Sequence, residues 1–142
     1  MRIAQVLAGR DIALVSCSAG TGVAEAARLL ADNRIGALPV FDNGTIAGIF
    51  SERDLLYCIA KEGAAVLDRT VGDVMTTPAI TIRPDSSVNE ALALMTRRRI
   101  RHLPVVEAGE VRGFLSIGDL VKNRMDEIAG EAEAMREYIA TA

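Results

Sequence analysis

Two strings of the sequence set a hydroxyl three residues ahead of a carboxylate, Ser51-Glu52-Arg53-Asp54 and Ser116-Ile117-Gly118-Asp119. An ionised carboxylate accepts hydrogen bonds from two vicinal hydroxyls at once, and charge-assisted bonds of this kind are stronger than neutral ones. Where a helix begins at such a serine, its first amide groups point outward unpaired and make an anion site. The same spacing also suits a capping box, in which the serine caps the helix and the acid reaches back to the serine amide. Either reading serves one copy of the string. Its occurrence twice weighs toward a binding role for Asp54 and Asp119, with Ser51 and Ser116 serving both.

The remaining residue types exclude much other chemistry. The single histidine, His102, and two well-separated cysteines, Cys17 and Cys58, offer no metal cage and no nucleophile-base pair, and neither a G-x-x-x-x-G-K-[ST] loop nor H-E-x-x-H occurs. A non-catalytic protein without a bound metal is expected. Net charge is −3, and 14 Arg stand against only Lys61 and Lys122, so the overall field does not favour nucleic acid. The basic run Arg97-Arg98-Arg99 lacks interleaved aromatics and reads as a solvated helix end. The apolar stretches fall far short of the ~20 residues of a membrane span. Gln5, Gly9, Arg10 and Asp11 interrupt the N-terminal segment, so a secretory signal is not expected and the cytoplasm is the expected compartment.

The elements that position these residues are legible in an internal repeat. At an offset of 65, Thr21 to Leu55 falls on Ser86 to Leu120 without a gap, with 14 identities in 35 positions. Among them are Leu38/Leu103, Pro39/Pro104, Val40/Val105, Gly48/Gly113, Ser51/Ser116 and Asp54/Asp119. At an offset of 68, Ile3 to Leu7 resembles Val71 to Met75, so each copy opens with a short helix and the first carries three extra residues around Ala8 to Asp11. Short strands are predicted at Ala13 to Cys17 and Ala79 to Ile82. Helices should open at Thr21 and Ser86, burying Val23, Ala26, Ala27 and Leu30 in one copy and Val88, Ala91, Leu92 and Met95 in the other. Hairpins follow, Leu38 to Phe41 with Ile46 to Phe50 and Leu103 to Val106 with Val111 to Leu115, and then a final helix after Ser51 or Ser116. The fold class is therefore α/β, two β-α-β-β-α repeats packed as a pseudo-twofold pair, each too small to bury its sheet alone. The boundaries are 1–65 for the first repeat with its N-terminal helix, 66–124 for the second, and 119–140 for a terminal helix.

The duplicated Leu-Pro-Val, the Asp73-Val74-Met75 that opens the second copy, and the two Gly-to-Asp strings resemble the cystathionine-β-synthase (CBS) domain, so that the chain looks like a stand-alone CBS pair over roughly Ile3 to Arg124. The resemblance implies an adenine-nucleotide ligand, AMP, ADP, ATP or NAD, bound in clefts between the copies to regulate an unidentified partner protein. It implies that Asp54 and Asp119 take ribose hydroxyls, with Ser51 and Ser116 near ribose or phosphate. Arg53, Arg101 and His102 become phosphate contacts, with Arg53 serving one site and Arg101 the other. Backbone at Leu38-Pro39 and Leu103-Pro104 would face adenine. Ser16 would complete the Asp119 site and Thr81 the Asp54 site. A homodimer is also implied. An adaptor with vestigial clefts is the alternative.

Past the second repeat, Val121, Met125, Ile128, Ala132, Met135 and Ile139 recur at intervals of 4, 3, 4, 3 and 4. That is heptad spacing, and it predicts a helix whose apolar seam is covered by something beyond its own repeat.

Overall fold

Apolar residues at helical and then alternating spacing build the same series of elements twice, and the computed structural model describes it for residues 1–9 and 14–141. The first copy comprises α1 (Ile3–Ala8), β1 (Cys17–Ser18), α2 (Val23–Asn33), β2 (Ala37–Asp42), β3 (Thr45–Ser51) and α3 (Glu52–Glu62), followed by a 3-10 turn over Gly63–Asp68. The second comprises α4 (Val71–Val74), α5 (Val88–Arg98), β4 (His102–Glu107), β5 (Glu110–Ser116) and α6 (Ile117–Thr141). β1 runs parallel to β2, which pairs antiparallel with β3, and β4 pairs antiparallel with β5.

The leading strands are shorter than expected. Of the first, Cys17 alone pairs among the described residues, with Val40, and Ser18 beyond it pairs with Phe41, while Ala13 and the extra residues Arg10 and Asp11 lie outside the described residues. The stretch Ala79 to Ile82 reduces to one parallel bridge between Ile82 and Val105. A segment held along one edge for so few residues has no room to develop a ladder. The helices open two residues later than expected. Thr21 closes a turn instead, its Oγ1 accepting from the Ser18 amide at 3.1 Å, and Ser87 rather than Ser86 caps α5 by accepting from the Glu90 amide. The buried faces are Val23, Ala26 and Leu30 on α2, and Val88, Ala91 and Met95 on α5.

The two cores do not follow the order of the chain. Ile3 and Val6 of α1 are buried with Val88, Met95, Leu103, Val105, Leu115 and Leu120 of the second copy, whereas Val71 of α4 is buried with Val23, Leu30, Leu38, Val40 and Phe50 of the first. Backbone bonds seal the exchange in matching fashion. The Ile3 amide donates to the Ser86 carbonyl at 2.9 Å, and the Val71 amide to the Thr21 carbonyl at 2.8 Å. Each hairpin receives the exchanged segment over a glycine opposite an irregularity in its register. A Cβ on Gly48 would stand 2.5 Å from the Thr76 carbonyl oxygen, and one on Gly113 would stand 2.5 Å from Leu7 Cδ2. Both glycines are thus required by close approach.

Candidate functional site

Ser51 and Ser116 end β3 and β5, and the chain turns directly from each strand into a helix. The caps form as the spacing allows. The Asp54 amide donates to Ser51 Oγ at 3.1 Å and the Ser51 amide donates to Asp54 Oδ2 at 2.9 Å; the second copy repeats this with Asp119 and Ser116 at 3.1 and 2.8 Å. Asp54 is held further, its Oδ1 accepting from Thr76 Oγ1 at 2.9 Å. Capping and binding do not compete for the same atoms throughout, because each carboxylate has about four acceptor positions.

Both strings line clefts, and each cleft is walled by both copies. The Asp119 cleft has a volume of about 390 Å³ and combines Ser116, Asp119, Arg112, Gly113, Phe114 and His102 with Leu14, Val15 and Arg34 to Ala37 of the first copy and Leu7 of α1. The Asp54 cleft, about 310 Å³, combines Ser51 to Asp54, Tyr57, Ile49 and Gly36 with Thr76, Pro78 to Ile80 and Arg99 to His102 of the second. The offset of 65 maps one lining onto the other: Leu14 and Val15 onto Ala79 and Ile80, and Arg34 to Ala37 onto Arg99 to His102. The clefts are thus related by the pseudo-twofold that relates the repeats. Their volumes lie at the small end of the range for small-molecule sites.

Several candidate residues stand elsewhere. Ser16 and Thr81 are exposed and outside both linings, while their neighbours Val15 and Ile80 line the clefts with the pairing expected for those segments. Leu38, Pro39, Leu103 and Pro104 are buried and outside the linings; Ala37 and His102, one residue earlier, are the β2 and β4 residues that reach them. Arg53 and Arg101 were expected to serve separate sites, but both line the Asp54 cleft, together with Arg99. The Asp119 cleft draws on Arg34 and Arg112 instead. Arg34 and Arg99 terminate α2 and α5 in left-handed conformation, φ 52° and 56°, which turns the chain sharply from the helix toward the cleft. Their identity in the repeat was the signal that marked them.

His102 lies in the lining of both clefts, as does Gly36. Its ring stacks on Phe114 with centroids 5.6 Å apart and planes 22° from parallel. Burial pushes its pKa below the usual value, opposed by Glu52 and Asp119 and assisted by Arg101. The wall between the clefts is therefore formed by Gly36 and by the His102 ring stacked on Phe114. Burial, with Glu25 adding, pushes the Cys17 thiol up to about 11. Among the described residues no group of three or more His, Cys, Asp and Glu is placed to hold a metal ion, and no helix is long and apolar enough to cross a membrane.

Comparison with known proteins identifies this arrangement. The CBS domain family profile matches residues 10–61 and 71–126. The chain is similar to a mitochondrial CBS domain-containing protein of Arabidopsis thaliana, 36% identical over 87% of this chain but only 62% of the relative, so it spans less than two thirds of that protein. Its fold is similar to that of a CBS-domain protein from Agrobacterium tumefaciens, with TM-score 0.83, 36% identity and coverage of 87% of this chain and 99% of the other. It is also similar to CBSX2, solved in complex with AMP, with TM-score 0.70, 30% identity and coverage of 80% and 88%. With two matched segments, two exchanged cores and two equivalent clefts, the chain belongs to the CBS-domain family as a tandem pair.

Proposed function

We propose that the chain is a non-catalytic regulatory module that binds adenine nucleotides, AMP, ADP, ATP or NAD, in its two clefts and signals their occupancy to a partner protein. The observation that carries this reading is the convergence, in each cleft, of a Ser/Asp helix start and an arginine from one copy with at least one arginine and apolar residues from the other. Aspartate suits vicinal ribose hydroxyls, the arginines suit phosphate, and Val15, Ile35 and Phe114, or Ile80, Ile100 and Ile49, offer flat apolar cover to a purine. The AMP bound by CBSX2 supports the ligand class. The module acts as a homodimer, and its compartment is the cytoplasm.

A second reading, an adaptor whose clefts are vestigial, draws on the hydrogen bonds that already engage Asp54 from Ser51 and Thr76. Mass spectrometry of small molecules released from the purified protein, followed by calorimetry with AMP, ATP and NAD, separates the two. Saturable binding of one of these ligands, weakened by Asp119→Ala or Asp54→Ala, supports the sensor. A folded protein that releases nothing and binds none of them supports the adaptor.

A further inference from the structure

The second half of the terminal helix leaves the rest of the molecule. Every residue from 129 to 141 is exposed, and Met125, Ile128, Met135 and Ile139 are 64%, 49%, 58% and 66% exposed. So short a helical stretch has little stability of its own in water, and Gly130 weakens it further. Its apolar stripe therefore requires cover from outside this copy. Written as a heptad, Met125, Ala132 and Ile139 take the a positions and Val121, Ile128 and Met135 the d positions, which puts Gly130 at f, farthest from a partner.

We propose that the cover is α6 of a second copy, and that the two helices form a parallel, in-register coiled coil. The charges beside the seam select this arrangement. In a parallel pair a g residue faces the e residue of the next heptad on the other strand, so Glu131 meets Arg136 of the partner subunit, and symmetry makes the contact twice. The antiparallel alignment that overlaps the whole seam sets like against like: Lys122 against Arg136 of the partner subunit, and Glu131 against the partner's Glu131. Such juxtapositions decide between otherwise similar pairings. Within its own helix Arg136 meets Glu133 at 3.6 Å, but this pair is solvent-exposed and competes weakly. The proposal rests on the homodimer part of the reading above and adds direction and register. Both protomers then present their second repeats at one end of the coil and the Thr141 ends of α6 at the other.

The test places one cysteine in the seam, Met135→Cys, with Cys17→Ser and Cys58→Ser as background, and a second variant, Ile139→Cys, guards against a local defect; circular dichroism verifies the fold of each. Sedimentation equilibrium and mild oxidation are run side by side. A dimer in which both variants form an intermolecular disulfide supports the parallel register. So does an Arg136→Glu variant that dissociates at several-fold higher concentration and is rescued by adding Glu131→Arg. A dimer in which neither cysteine links to itself, while copies carrying Met125→Cys link to copies carrying Met135→Cys, overturns the proposal and leaves the homodimer standing. A monomer at all concentrations overturns both.

Discussion

Thr76 Oγ1 donates to Asp54 Oδ1 at 2.9 Å, across 22 residues, and ties the segment that leads into the second copy to the helix start that closes the first. One carboxylate thus serves a cap, an inter-copy tether and the proposed ribose site. Asp119→Ala should weaken binding of adenine nucleotide at its cleft by about 1.5–3 kcal/mol, the range for hydrogen bonds to charged groups. Asp54→Ala should do the same at the other cleft; both should lower stability by about 1 kcal/mol through the lost cap, and Asp54→Ala further through the lost Thr76 bond. Calorimetry and chemical denaturation on the same preparations check both. Full affinity in both variants would leave the aspartates with structural work alone.

Because Arg53, Arg99 and Arg101 line one cleft, Arg53→Ala and Arg101→Ala should weaken the same binding step, and should do so more for AMP than for adenosine. Arg34→Ala and Arg112→Ala should act on the other step. Added salt should mimic the loss in each case. Titration of the four variants decides the matter: losses that sort differently between steps, or equal losses for adenosine and AMP, count against the assignment.

The two close-packed glycines should respond unequally to the same change. Gly48→Ala pushes a methyl group onto the Thr76 backbone oxygen, which cannot swing away, whereas Gly113→Ala meets the flexible end of Leu7. Urea denaturation should show a cost of roughly 1–3 kcal/mol for the first and less for the second. Equal costs would mean that the Thr76 segment yields as readily as a side chain.

His102 is the sole histidine, so its ring protons can be followed by NMR without ambiguity. Its pKa is lowered in the folded state, so between that value and the ordinary value near 6.5 the unfolded chain binds more protons than the native one. Stability should therefore be fully present above about pH 6.5 and decline as pH falls toward the native pKa. The slope in that window should vanish in His102→Asn. A nucleotide phosphate bound beside the ring should raise its pKa. A titration midpoint at or above about 6.5 in the free protein would contradict burial as the dominant influence on the ring.

What could be read from the sequence depended on how many residues shared each signal. The two hairpins and the helices between them were legible because apolar spacing, turn residues and the 65-residue offset all agreed over Thr21 to Leu55 and its copy. The opening strands were overestimated because Ala79 to Ile82 has strand composition but only one residue in reach of β4. The Ser/Asp strings line the clefts together with Val15 and Ile80, whereas Ser16 and Thr81 lie outside both linings, in segments too irregular for any sequence period to tell which residues face inward. The arginines divide between the linings otherwise than expected, for a different reason. A cleft built from both copies takes its charge from residues 46 to 48 positions apart, Arg53 with Arg99 and Arg101, and no local pattern links them.

The exchange of leading helices bears on how the chain is made. The core around Phe50 is complete only once Val71 has been supplied, so the first repeat stays open on the ribosome until its own residues and the beginning of the next have both emerged. The second core waits on a segment made well before it: Ile3 and Val6, synthesised ahead of the whole first repeat, must be held available until Leu120 arrives. Ile3→Ala, which removes a fully buried side chain at a cost of about 2–5 kcal/mol, should therefore slow completion of the second-repeat core and leave the first-repeat core intact in pulsed hydrogen exchange. Nascent chains stalled before Leu120 would carry α1 as an unplaced apolar segment, the natural target for a holding chaperone during translation.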